Sequence, residues 1–328
     1  MKKKQAQHHD ILNEIRDCLH TGNHFLVTTH MRIDGDAVAS ALVFTAILRY
    51  LGKSYQILIH DHVPDKFHFM KHVGDLKHVK STALEPSPDT VVVLDASSLS
   101  RTGDVAALIT DSMKIINVDH HPGNNRFGHY NLVDEGESST VELVYHIFCK
   151  CDVPMTASIA ETVFTGITSD TGRFRFPNTT YRSFLVCAEM LKHGVSPCKV
   201  AEHLYYNNSP ETQRALARAL SAMEMHYDGA VSCMHLDNAA LKSGTHVDTE
   251  GFVDYLLQIR GTSVEFFMLE EKPDLYRVSF RSKMDVDVNE IAKIFGGGGH
   301  AKASGCYIQG SLPEVKKKIL TTLEPYVK

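Results

Sequence analysis

Short runs of consecutive apolar residues alternate with helix-spaced apolar positions through the first half of the chain. Residues 25–29 (F-L-V-T-T) predict a buried strand. The segment 38–51 follows it, with Val38, Ala41, Leu42, Leu48 and Leu51 at helical spacing. Residues 55–59, 91–94 and 115–118 predict three further strands. Continuous apolar strands separated by helices indicate a parallel sheet covered on both faces. Ser139 to Glu142 (S-T-V-E) has capping-box spacing ahead of an apolar run. Ile159, Val163, Phe164 and Ile167 then share one helical face.

The pattern changes from about Gly194. Ser209-Pro210-Glu211 reads as an N-cap with proline at the first helical position, opening a helix expected to reach about Met225. Asp228-Gly229 is a turn signal. Strands are expected at 230–236, 263–269, 275–281 and 306–308, and helices at about 248–260, 287–295 and 312–325. At roughly 150 residues per domain, 328 residues suggest two domains. The expected division is a catalytic domain at 1–193, a helical connector at 194–229 and a smaller α/β domain at 230–328.

Composition narrows the function classes. Thirty-four basic against thirty-nine acidic residues give a net charge of −5, which argues against a protein that coats long DNA or RNA. A small anionic substrate stays open, because a few local cations can reverse the field in a cleft. No run approaches the ~20 apolar residues of a membrane span, so no membrane partner is expected. The basic start M-K-K-K-Q-A-Q-H-H-D-I-L has no apolar stretch behind it and does not read as a secretory signal. Seven cysteines, with Cys149 and Cys151 the one close pair, fit neither a zinc knuckle nor a redox pair. They read as reduced thiols in the cytoplasm. The paired His8-His9 reads as tail, and Cys149 and Cys151 as core.

The candidate chemistry lies in four short motifs: His30-Met31-Arg32-Ile33-Asp34-Gly35-Asp36, Asp95 closing V-V-V-L-D, Asp119-His120-His121, and Asp170 in I-T-S-D-T-G-R. Any one alone would read as a turn or helix N-cap. Three of the four, however, follow the carboxyl end of a predicted parallel strand, where open α/β sheets hold their ligand crevice. His30, Asp34, Asp36, Asp95, His120, His121 and Asp170 would then converge. So many carboxylates cannot all stay ionised together without cations. Imidazole and carboxylate donors without thiolate favour two Mn²⁺ ions, or Mg²⁺ or Co²⁺, over structural zinc. Two ions need a shared ligand, and Asp95 belongs to the motif between the first and third.

The series H-x-R-x-D-G-D, V-V-L-D, D-H-H and S-D-T-G resembles the DHH phosphoesterase superfamily. The stretch G-G-G-G-H-A-K-A-S-G before Cys306 resembles its DHHA1 domain. The pairing is most similar to the bifunctional oligoribonucleases that also act as pAp phosphatases. Ile33 stands where the superfamily often has proline, at a position that is not a ligand. The resemblance implies that His30, Asp34 and Asp95 hold one metal, and Asp36, Asp95, His120 and Asp170 the other. It implies that His121 contacts the phosphate under attack and that Asp119 orients an imidazole. It also implies that Arg281, ending Y-R-V-S-F-R, and the loop Gly297, Gly298, Gly299 and His300 hold substrate, although a strand-end arginine can also be merely solvated. The glycine run could be a flexible linker, but lying between a helical pattern and an expected strand, with His300 after it, its consecutive N–H groups read instead as an anion nest. Arg101 in S-R-T-G-D is a further phosphate-contact candidate, with a surface salt bridge as the alternative.

The implied fold is an N-terminal domain with a mainly parallel sheet flanked by helices, a smaller α/β domain after it, and the active-site cleft between them. The implied reaction is metal-dependent hydrolysis of di- to penta-ribonucleotides to 5′-mononucleotides and of pAp to AMP and phosphate. A phosphodiesterase acting on cyclic or linear dinucleotides (cyclic di-AMP, pApA) is the nearest alternative. An inorganic pyrophosphatase would carry a different second domain, and a non-catalytic nucleotide sensor would be expected to lack a ligand. A homodimer is left open.

Overall fold

Valine, isoleucine and leucine runs bury both faces of a strand, and the first half of the chain uses them that way. The structure is a computed structural model that describes residues 2–238, 247–283 and 285–327, with side chains from residue 8 onward. The chain folds into two compact units, Met1–Asn207 and Asn208–Lys328.

The first unit is built on strands β1 (His24–Thr29), β2 (Ser54–Ile59), β3 (Leu76–His78), β4 (Thr90–Leu94), β5 (Lys114–Asp119) and β6 (Tyr130–Val133). All pair in parallel in the order β3-β2-β1-β4-β5-β6. The helices are α1 (Lys2–Thr21), α2 (Gly35–Tyr50), α3 (Thr140–Lys150), α4 (Ala157–Asp170), α5 (Tyr181–Lys192) and α6 (Pro197–Tyr205). One face of the sheet packs Phe25, Val27, Ile57 and Val92 against helix residues including Val38, Leu42, Val144 and Val163. The other buries Leu26, Leu58, Val91 and Val93 under Val105 and Met113 from the segment that holds a 3₁₀ helix, Leu99–Leu108. Strand order reverses between β1 and β4, the topological switch point where such sheets bind ligands. The register Thr29↔Leu94 places His30 beside Asp95 at that point. The Asp95 N–H continues the ladder to Val118 O, next to Asp119.

The second unit carries β7 (Glu224–His226), β8 (Val231–Leu236), β9 (Val264–Lys272), β10 (Leu275–Ser282), β11 (Gly298–His300) and β12 (Ala303–Gln309), ordered β11-β12-β10-β9-β8-β7. Among the described residues, only β8 and β9 pair in parallel. Helices α8 (Val288–Ile294) and α9 (Leu312–Val327) cover one face. Helix α7 (Pro210–Ser221) and a 3₁₀ helix, Phe252–Gln258, cover the other.

Several expectations shift. The stretch 194–229 is shared: α6 belongs to the first unit and α7 to the second. Helix α7 stops at Ser221 because β7 pairs with β8 from Glu224. The expected helix at 248–260 is the shorter 3₁₀ helix. Cys151 is buried but Cys149 is exposed, and all seven cysteines are free. His8-His9 lies on α1 rather than in a tail, and His8 Nε2 meets His146 Nδ1 at 3.2 Å.

Candidate metal centre

Each proposed ligand is placed by a backbone feature. His30 follows β1, and its Nδ1 sits 2.7 Å from Met31 O. Nδ1 therefore carries the proton, which leaves Nε2 as the nitrogen that could ligate an ion. His120 follows β5, with Nδ1 3.4 Å from Glu137 O, which fixes the same tautomer. Asp34 is the N-cap of α2 and accepts from the N–H groups of Asp36 and Ala37. The bland reading of a D-x-D motif is thus true of Asp34, and its other oxygen still faces His30. Asp36, fully buried, accepts from Thr140 N at 2.6 Å and Val141 N at 2.9 Å, buried donors of the first turn of α3. Asp95 adopts a left-handed backbone with φ 60°, which an aspartate tolerates better than most residues. Asp170 ends α4, where Asn178 Nδ2 donates to it at 3.0 Å.

These residues converge on Asp95. Its Oδ2 lies 3.3 Å from His30 Nε2, and its Oδ1 lies 3.7 Å from His120 Nε2 and 3.5 Å from His121 Nδ1. His30, Asp34 and Asp95 present donor atoms within 4.8 Å of one another, and so do Asp36, His120 and Asp170. His121 Nδ1 donates to Asp119 Oδ1 at 2.8 Å, and Asn124 Nδ2 holds the other Asp119 oxygen at 2.7 Å. Asp119 therefore orients an imidazole.

The electrostatics call for cations. Burial, with the charges of Asp95 and Asp170, pushes the Asp36 carboxyl well above the usual carboxylate range. Burial lifts Asp170 to about 6, against the pull of His120. Burial also disfavours charge on Asp95, but its contacts with His30, His121 and His120 outweigh that and hold it ionised. For His121, burial opposes charge while Asp119 and Asp95 raise its pKa to about 9. A pocket in which some carboxyls are driven to bind protons and neighbouring imidazoles are driven positive lacks positive charge. Two sets of oxygen and imidazole donors, with the Asp95 carboxylate between His30 and His120, suit two divalent ions.

The model of the DHH family, N-terminal domain, matches residues 24–167, and that of the DHHA1 domain matches 238–328. A bifunctional oligoribonuclease and PAP phosphatase, NrnA, of Thermus thermophilus is 32% identical over 90% of this chain and 87% of its own length. The chain belongs to the DHH/DHHA1 phosphoesterase family. The Bacillus subtilis protein of the same name is 30% identical over 85% of this chain and 87% of its own length. The crystal structure of an exopolyphosphatase-related protein from Bacteroides fragilis shares the fold, with TM-score 0.88 and 24% identity, covering 97% of this chain and 96% of that one.

The DHHA1 domain lines up its candidate residues by register. Arg281 on β10 pairs with Ala303 on β12, and Ala303 pairs with His300 on β11, so the three lie level across the sheet. Arg281 donates from Nε to Asp254 at 2.9 Å. The glycine run is an edge strand rather than a loop of open N–H groups. Gly297 N–H already bonds Ala292 O, and 298–300 pair with β12. A Cβ at Gly297 would sit 2.8 Å from Cys306 Cα, and one at Gly299 (φ +144°) 2.6 Å from Ala303 O, so close backbone approach explains both. In the DHH domain, Arg101 O accepts from Met31 N at 2.7 Å, tying its segment to the His30 loop. The Arg101 guanidinium has no ion pair or hydrogen bond among the described residues. Sequence reasoning missed Thr140, Asn178 and Asn124. Their partners lie at distant or irregular positions that no local spacing announces.

Proposed function

We propose that this chain is a two-metal phosphoesterase that hydrolyses very short oligoribonucleotides to 5′-mononucleotides and pAp to AMP and phosphate. The observation that carries the reading is Asp95, whose two oxygens face two separate donor sets at the switch point of the parallel sheet. The curated names of the 32%- and 30%-identical relatives support the substrate class. His30, Asp34 and Asp95 hold one ion, and Asp36, Asp95, His120 and Asp170 the other, with Mn²⁺ the favoured metal. Two such ions would supply an activated water and neutralise charge on the phosphoryl group.

The chain's own residues do the rest. His30 and His120 keep their Nε2 atoms directed at the site because their Nδ1 atoms are tied to main-chain carbonyls. His121, held by Asp119 at Nδ1, offers its other N–H to an equatorial phosphate oxygen, which stabilises developing charge. Arg101 contacts phosphate from the DHH domain. Arg281, His300 and the adjoining Gly297, Gly298 and Gly299 bind the part of the nucleotide remote from the reacting phosphorus. The free thiols support a cytoplasmic location, and no helix among the described residues is long and apolar enough to cross a membrane.

The test is a panel of pAp, pApA, short RNAs, cyclic di-AMP and pyrophosphate, assayed with Mn²⁺ after chelation and dialysis. Metal-free protein should be inactive, and Mn²⁺ should restore turnover of pAp and of two- to five-residue RNAs. Full activity without metal, or turnover of pyrophosphate alone, overturns the reading.

A further inference from the structure

Thr140 is the first residue of α3 and fully buried. A helix N-terminus usually has its free N–H groups met by the N-cap side chain. Here the N-cap, Ser139, makes no such bond. The N–H groups of Thr140 and Val141 go to Asp36, 104 and 105 residues earlier in the chain. The Thr140 hydroxyl turns the other way and donates to Asp95 Oδ1 at 2.8 Å. One residue thus touches both a ligand of the second ion and the ligand shared by the two.

The hydroxyl contact is the informative one. Asp95 follows β4 with a left-handed backbone, and the direction of its carboxylate turns on its side-chain torsions and the groups that hold its oxygens. The Thr140 bond is made to Oδ1, the oxygen facing His120 and His121, while Oδ2 faces His30. Anchoring one oxygen sets the carboxylate plane and leaves each oxygen aimed at one donor set. We propose that Thr140 is a positioning residue whose hydroxyl makes Asp95 a bridge between the two ions. This rests on the two-metal reading above.

The experiment compares wild type with Thr140→Val, which keeps the shape and removes the hydroxyl, Thr140→Ala and Thr140→Ser. Mn²⁺ is titrated into metal-free protein, and binding is followed by calorimetry and by electron paramagnetic resonance, which distinguishes a spin-coupled pair from isolated ions. Thermal melts of the metal-free proteins run alongside. Wild type should bind two ions and show the coupled spectrum. Thr140→Val and Thr140→Ala should bind the second ion roughly 10- to 100-fold more weakly, as loss of an outer partner does. They should show isolated Mn²⁺, and Thr140→Ser should restore the coupled pair. A folded Val or Ala variant with wild-type second-ion affinity and coupling overturns the proposal. Failure of both to fold would assign Thr140 to the fold alone and overturn it equally. Absence of a coupled pair in wild type would instead sink the two-metal reading itself.

Discussion

Gly35 lies between two proposed ligands, Asp34 and Asp36, in the first turn of α2, and a single methyl group there should disable the centre. A Cβ built at Gly35 would come within 2.7 Å of Ser169 Cβ and 3.1 Å of Phe67 Cε1 and would collide with Ser169 Oγ. Carbon atoms pack at about 3.5–4.0 Å, so one side must give by about 1 Å. Both sides carry proposed ligands: Gly35 is flanked by Asp34 and Asp36, and Ser169 precedes Asp170. Overpacking of this kind costs about 1–3 kcal/mol, and for a unit of this size each kcal/mol lowers Tm by about 2–4 °C. Gly35→Ala should therefore melt a few degrees lower. A misplacement of about 1 Å in reacting groups costs about 100-fold in rate, so kcat on pAp should fall by about that factor. The loss in kcat should far exceed what the lowered Tm explains at the assay temperature. Adding Ser169→Gly removes the colliding atoms and should recover part of the loss in both quantities, a coupling that independent sites would not show. A Gly35→Ala enzyme within twofold of wild-type kcat would refute the argument that this glycine exists to seat the ligands.

Asp95→Ala should lose bound metal and fall at least ~10³-fold in kcat, as for removal of a major electrostatic stabiliser; retention of a tenth of the rate would rule out bridging. His120→Ala should lower metal occupancy, whereas His121→Ala should slow turnover with metal retained, both measured by metal analysis beside steady-state kinetics. Arg281→Ala and His300→Ala should each reduce kcat/KM on pAp and dinucleotides by about 10- to 100-fold, the worth of a charge-assisted phosphate contact. They should spare bis-p-nitrophenyl phosphate, and equal losses on both would show that these residues shape the catalytic centre. Glu142 is buried, and burial lifts its pKa from 4.5 to about 7. The folded protein then holds this proton more tightly than the unfolded chain. Its stabilising contribution is full below about pH 4.5 and is lost as pH rises through about 7. Glu142→Gln should flatten that part of the Tm-against-pH curve, and an unchanged slope would exclude the assignment.

The strands bearing the centre were legible because parallel strands buried on both faces read as unbroken apolar runs, and β1, β2, β4 and β5 each have one. Strands β3 and β6 are short and polar enough to pass as loop. Helix α1 hides behind a run of lysines, although Leu12, Ile15, Cys18 and Leu19 form its buried stripe. The S-T-V-E spacing marks the start of α3 correctly, but Glu142 accepts from Ser138, and Ser139 leaves the helix donors to Asp36. That exchange joins residues more than a hundred positions apart, so only the folded chain displays it. The glycine run, by contrast, is demanded at least twice by strand packing, which a motif read for anion binding does not reveal.

His30 and His120 are steered by main-chain carbonyls, whereas His121 is steered by a side chain. The difference decides how each imidazole can fail. No substitution at Met31 or Glu137 deletes a carbonyl oxygen, so the protonation pattern of those two rings is inherited from the path of the backbone and should survive wide sequence change there. The pattern of His121 depends on one carboxylate and can be erased by a single codon. Anyone seeking to retune this enzyme without dismantling it has a dial at Asp119 and none behind the other two histidines.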